Sequence, residues 1–351
     1  MRILKIFYLA LGIALLAFVV GQVDISEVTA QVMRVGPLGL FVILSIHFVA
    51  FAFDSLAWQL TLVQAPLNLR WAYRVWKLRM VSEVFNTVLP AAGMGGEPMK
   101  AELLKRRYGV GYREGLSSII LTKTTILLAL VLFLAIGFLL MWLSDALDGV
   151  YELAAGIGLG IFSLSIVLFF AVQRWRGASF AGAWLARYRF ARRLGTVLHH
   201  VRDMDERLVH FYTRHTGRFV AALFFAFLSW VLGVAEIYYA TAFLGHPMSL
   251  ADAWIIEAAA QLVSNGTFFI PASIGAQEGA FLVVFTSMAG SPSLGVAVAI
   301  IRRFREVIWL LWGGGDGAGF GPATVRWRRR DGRDPRRVSL NQRLGDADAA
   351  K

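Results

Sequence analysis

The sequence predicts an all-α protein that crosses a membrane several times and breaks two of its helical segments inside the apolar layer. Three observations carry that prediction. Hydrophobic residues make up 57% of the 351 residues, with mean hydropathy +0.61, whereas soluble domains are roughly 45–50% apolar. The excess is gathered in blocks close to the roughly 20 residues that span a hydrocarbon core. Two further runs, "PAAGMGGE" (90–97) and "PASIGAQE" (271–278), interrupt apolar sequence with proline, small residues and a glutamate.

Six full spans are expected, near 3–21, 37–58, 120–143, 151–172, 219–244 and 294–314. The first has no small-residue cleavage site after its apolar stretch and reads as a retained span, not a signal peptide. The connections alternate in charge. Residues 22–36 hold Asp24 and Glu27 against one arginine, and residues 144–152 hold Asp145, Asp148 and Glu152 with no base. Residues 59–81, 99–113 and 173–218 are rich in lysine and arginine, and so is the tail. Positive loops stay on the cytoplasmic side, so both termini are expected there, in a multi-pass protein of a bacterial inner membrane.

This alternation works only if the regions 72–105 and 251–290 enter and leave on one side. The first is flanked by basic residues and enters from the cytoplasm. Three spans lie between the two regions, and an odd number turns the second upside down relative to the first. Two re-entrant, broken-helix hairpins related in this way are the pattern of an inverted repeat. The breaks share Pro90/Pro271, Ala91/Ala272 and Glu97/Glu278 at one constant offset. Residues 1–320 thus read as one transmembrane domain, and 321–351 as a basic, disordered cytoplasmic tail. Within the domain, 180–216 reads as a basic amphipathic helix pair lying on the membrane surface, with Leu194, Leu198, Val201, Leu208 and Phe211 at helical spacing.

Composition also narrows the chemistry. The charge of +12 fits positive loops and gives no reason to expect nucleic acid. Absence of cysteine excludes disulfides, thiolate metal sites and cysteine catalysis. No HExxH, GxSxG or phosphate-loop motif occurs, and the His199-His200 pair cannot place both rings on one helical face. No catalytic residue, metal or cofactor is therefore expected, and the chain is not expected to be an enzyme.

Non-helical backbone cannot face lipid, because each unpaired amide or carbonyl there costs several kcal/mol. The two breaks must be buried in protein or line a polar cavity. Gly93, Gly95 and Gly96 make the first pliable. Each break ends where a new helix begins, and free amides at a helix start favour an anion. Ionisable groups inside apolar spans default to functional candidates. They are His47 with Asp54 (seven apart, expected as a satisfied interior pair or with Asp54 at the membrane interface), Lys123, Glu236, Glu257, and the group Arg302, Arg303, Arg305 and Glu306. The three arginines could bind a phosphate or neutralise Glu97 and Glu278. Asn86, Asn265 and Thr267 could bind substrate or satisfy backbone groups freed by the breaks.

"NTVLPAAGMGGEPMKAELL" (86–104), "FIPASIGAQEGAFL" (269–282) and the arginine helix "IIRRFREVIWLLWGG" (300–314) together resemble the flippase-like membrane domain of lysylphosphatidylglycerol synthases and its stand-alone relatives. The resemblance covers residues 1 to about 320. It implies an inverted-repeat fold that moves lipids between leaflets, with Gly95, Gly96, Glu97, Pro271, Gly275, Glu278 and Arg302 or Arg303 at the site. Two departures stand out. The synthases carry a soluble aminoacyl-transferase domain after the membrane part, and here only about 35 residues follow the last span, so aminoacylation is not expected. The family's acidic–basic pair early in the third long helix is replaced by "LTKTT", with Lys123 alone. Some stand-alone relatives are linked to hopanoid or polyprenyl-phosphate pathways.

The expectation is an inner-membrane transporter that moves an anionic or isoprenoid-type lipid by alternating access. Its substrate-binding candidates are Asn86, Gly95, Gly96, Glu97, Lys123, Asn265, Pro271, Gly275, Glu278, Arg302, Arg303 and Arg305. The alternative is a non-transporting scaffold that recruits lipid-biosynthesis enzymes through its basic surface. Expected partners are membrane lipids, with a homo-oligomer or such enzymes as further candidates.

Overall fold

The structure is a computed structural model, and it describes residues 2–88, 96–144, 149–174, 211–267, 270 and 273–318. Among these residues it is all-helical. The principal helices are α1 (Arg2–Val20), α2 (Ile25–Arg34), α3 (Gly36–Thr61), α4 (Leu69–Val88), α5 (Glu97–Tyr108), α6 (Tyr112–Ser144), α7 (Gly149–Arg174), α8 (Thr216–Phe243), α9 (Leu250–Gly266), α10 (Ala276–Ala289) and α11 (Pro292–Ala318). Gly95, Pro271, the tail 321–351 and most of the surface segment 180–216 lie outside the described residues.

Three helices, α3, α6 and α8, are long and apolar enough to cross a membrane, which makes this a multi-pass membrane protein. Helix α11 has sufficient length, but Arg302, Arg303, Arg305 and Glu306 interrupt its apolar run. The N-terminal region differs from the expectation of one span followed by a plain connection. Helix α1 is followed by α2 at a bend of 88°. The bend is set by local capping, since Asp24 Oδ1 accepts hydrogen bonds from Ser26 N (2.8 Å) and Ser26 Oγ (2.6 Å). Val28 and Gln31 are the buried face of α2. Its Glu27 accepts a 2.7 Å bond from Ser293 Oγ, which fixes α2 against the start of α11.

Helices α3 and α8 form the central pair. Small residues let them come close, as is usual between membrane helices. Ala57, Ala222 and Ala226 are buried together with Ala129 of α6, and Ser229 Oγ donates to the Ala50 carbonyl at 3.1 Å. Around this pair the packing repeats. Helix α3 packs on α4 as α8 packs on α9; α5 packs on α6 as α10 packs on α11; α4 packs on α11 as α9 packs on α6. The last two contacts each use a glycine. A Cβ on Gly137 would come within 2.5 Å of Ala258, and one on Gly313 within 3.1 Å of the Met80 carbonyl.

Candidate functional site

Two helix breaks flank the candidate residues. The first lies between α4 and α5. Gly96 sits so close to α4 that an added Cβ would collide with the Ser82 carbonyl and lie 2.5 Å from Ser82 Oγ. Its amide donates to Asn86 Oδ1 at 2.7 Å. Glu97 opens α5 and is 6% exposed. Because it is the first helical residue, its carboxylate does not fold back on the helix start. It faces Lys100 Nζ at 3.0 Å and Lys123 Nζ at 3.1 Å. The Lys100 ammonium also lies 5.3 Å from the Trp58 ring centre. Lys100 is buried, whereas the Lys123 side chain is 51% exposed.

The second break lies between α9 and α10. Gly275 has φ +80, a backbone that side chains rarely adopt. An added Cβ there would meet the Gly12 carbonyl of α1 at 2.5 Å. Glu278 is two residues further into its helix than Glu97 is into α5. That difference in register lets Glu278 Oε2 accept the Gly275 amide at 2.7 Å. Its other oxygen accepts from Arg303 Nε at 2.6 Å. One carboxylate thus caps its own helix and anchors the last one.

The remaining arginines of α11 join a buried network. Arg302 Nη2 lies 2.6 Å from Glu257 and its Nε 3.3 Å from Glu236. Arg305 pairs with both oxygens of Glu236. Arg303 Nη1 reaches Glu306 at 2.9 Å. Glu236 and Glu257 are 3% and 1% exposed, so these pairs replace the hydration that burial removes. Gln261 Nε2 donates to the second oxygen of Glu257 at 2.8 Å.

These contacts sort the expected residues. Glu97 and Lys123 come together, and so do Gly275, Glu278 and Arg303. Each of the three arginines meets a carboxylate, but only Arg303 meets a glutamate of a break. Neither Arg302 nor Arg305 contacts Glu97 or Glu278, because Glu236 and Glu257 present carboxylates to them from α8 and α9. Asn86 accepts the Gly96 amide at the end of the first break. Asn265 is turned onto its own helix, donating to the Gln261 carbonyl at 2.9 Å, and Thr267 likewise donates to the Val263 carbonyl at 2.8 Å. The expected His47–Asp54 pair does not form. Asp54 is taken by Arg79 of α4, and His47 packs edge-on against Trp309 at 4.8 Å.

Lys100 and Arg79 were not among the sequence-derived site residues. Lys100 had a signal, since it follows Glu97 by three residues and so shares its helical face. Arg79 carried none, because it reads as one more base in a cytoplasmic connection. Among the described residues no three His, Asp or Glu side chains are arranged to hold a metal.

A bundle of apolar helices with buried ion pairs at two helix breaks defines a polytopic membrane protein whose polar centre is built from the chain itself. The chain belongs to the family described as lysylphosphatidylglycerol synthase TM region, which matches residues 5–313. It is also similar to a UPF0104 membrane protein of Methanothermobacter thermautotrophicus, with 21% identity over 325 residues, 86% of this chain and 91% of that protein. No solved structure matches.

Proposed function

We propose that the protein carries a lipid with an anionic head group between the two leaflets, and that the first break receives the head group. The observation that carries this reading is the unequal charge at the two breaks. Glu97 faces two ammonium groups, and the one on Lys123 is half-exposed beside a helix start. Helix starts and clustered cations both favour an anion. The arginines of α11, by contrast, are matched by four carboxylates, those of Glu236, Glu257, Glu278 and Glu306. Their role in this reading is to hold the second half rigid.

The repeated packing of α3–α6 and α8–α11 supports an inverted repeat, the architecture that alternating access uses to expose one site to each side in turn. The cation from the following long helix is part of that repeat. Arg303 lies 25 residues after Glu278, and Lys123 follows Glu97 at nearly the same distance.

The test is transbilayer movement of a fluorescent anionic phospholipid in proteoliposomes. Wild-type protein accelerates it, and Glu97→Gln and Glu278→Gln each slow it. If both variants move the lipid at the wild-type rate, the breaks are not the transport site.

A further inference from the structure

A second polar region has no role in the network above. Where α3, α4 and α11 meet, four buried side-chain atoms lack a hydrogen-bond partner: Asp54 Oδ1, Trp76 Nε1, Arg79 Nε and Trp309 Nε1. Trp309 is 5% exposed. All four belong to residues gathered around one ring. Trp309 and Trp76 pack edge-on to Phe51 at 5.1 and 6.3 Å, and the Arg79 guanidinium lies 4.9 Å from its centre. Asp54 joins through its ion pair with Arg79.

An orphaned buried donor costs about 1–3 kcal/mol. Two orphaned indoles, a guanidinium N–H and a carboxylate oxygen on residues around one ring together call for a polar group with both acceptors and a donor. The surroundings specify the rest of such a ligand. Phe48, Tyr73 and Trp312 border the same cluster, with Phe48 and Trp312 stacked at 6.2 Å and Tyr73 stacked on Trp76 at 6.2 Å. They are 42%, 56% and 45% exposed. Buried polar atoms without partners, bordered by an exposed aromatic face, fit a molecule with a polar head and an apolar tail.

We infer that the junction of α3, α4 and α11 is a phospholipid-docking site in which Trp76 and Trp309 donate their indole N–H groups to the lipid's phosphate or ester oxygens. Arg79 Nε adds a third donor. Asp54 Oδ1 accepts from an N–H or O–H of the head group, and the tail lies along Phe48, Tyr73 and Trp312. Tryptophan suits this task because its ring tolerates an apolar wall while its N–H seeks an acceptor. The site's four unpartnered atoms belong to none of the Glu97–Lys123 or Arg302–Glu257 pairs, and the inference stands whether or not the protein moves lipid across the membrane.

The experiment uses the full chain in nanodiscs that contain phosphatidylethanolamine bearing a diazirine near the head of one acyl chain. Cross-linked peptides are read by mass spectrometry. Label is expected on the segments holding Trp76 and Trp309, well above that on Trp142, a 61% exposed residue of α6. Trp76→Phe and Trp309→Phe keep the ring and remove only the donor. Each should reduce labelling about three- to tenfold, the worth of one hydrogen bond. Each should also leave thermal stability in lipid-free detergent unchanged or raised, because an unsatisfied N–H has been removed, and should shrink the stabilisation produced by added phosphatidylethanolamine. Labelling equal to that of Trp142 overturns the inference. So does a Phe variant that loses stability in detergent and keeps full labelling, since that is the behaviour of a purely structural indole. Absence of transbilayer movement with labelling intact would count against the transport reading alone.

Discussion

The two helix breaks solve the same problem differently, and the difference follows from where a glutamate falls in the helix that leaves each break. Glu278 sits far enough inside α10 to reach back to the Gly275 amide, and it also takes Arg303. The second break is closed from outside as well, because α1 crosses it at Gly12 and Gly275 without room for a methyl group. Glu97 stands at the very start of α5. The Gly96 amide before it is taken by Asn86, which leaves the whole carboxylate for two lysines, one of them half-exposed. One break is a locked joint, and in the other a buried carboxylate is shared by two lysines.

The largest loss of stability is expected beside the breaks, at Arg302. Arg302→Ala leaves Glu257 buried without its cation, and removing one member of a buried pair costs about 3–5 kcal/mol. A large fall in melting temperature in detergent is expected. Less drastic is Gly275→Ala, best compared with Gly290→Ala. Both glycines have positive φ, but nothing lies within 4 Å of a Cβ on Gly290. Gly290→Ala reports backbone strain alone, about 1 kcal/mol, and Gly275→Ala should cost clearly more because the α1 backbone cannot give way. Equal losses would mean that α1 does not lock the second break.

Smaller again is Asn86→Ala. It orphans the Gly96 amide, and a loss of about 1–3 kcal/mol is expected, read as a lower urea or thermal midpoint. Smallest in stability is Lys123→Gln. A half-exposed ion pair contributes at most about 1 kcal/mol, so the fold should hardly notice the change.

The sequence made the architecture legible wherever the signal was local. Long apolar blocks marked α3, α6 and α8, and the runs at 90–97 and 271–278 marked the breaks. It also made the ionisable candidates visible, because charges stand out in apolar sequence. Partners were less legible. His47 and Asp54 share a helical face, yet neighbouring helices supply Trp309 and Arg79, and spacing along one helix carries no information about what the next helix offers. Arg302 and Arg305 could not be assigned to Glu257 and Glu236 for the same reason. The bend between α1 and α2 was missed because a short capped helix with an amphipathic face resembles an acidic connection. Register was visible in principle: Glu97 follows Gly96 directly, and Glu278 stands three residues after Gly275.

The most direct test of the proposal that the first break receives an anionic head group is the rate of transbilayer movement for Lys123→Gln. It should be measured beside wild type in proteoliposomes with a fluorescent anionic phospholipid. The account predicts roughly a tenfold slower rate, about 1.4 kcal/mol for one lost charge-assisted contact, with the melting temperature nearly unchanged. A rate equal to wild type in a variant that is folded and reconstituted to the same level would contradict it.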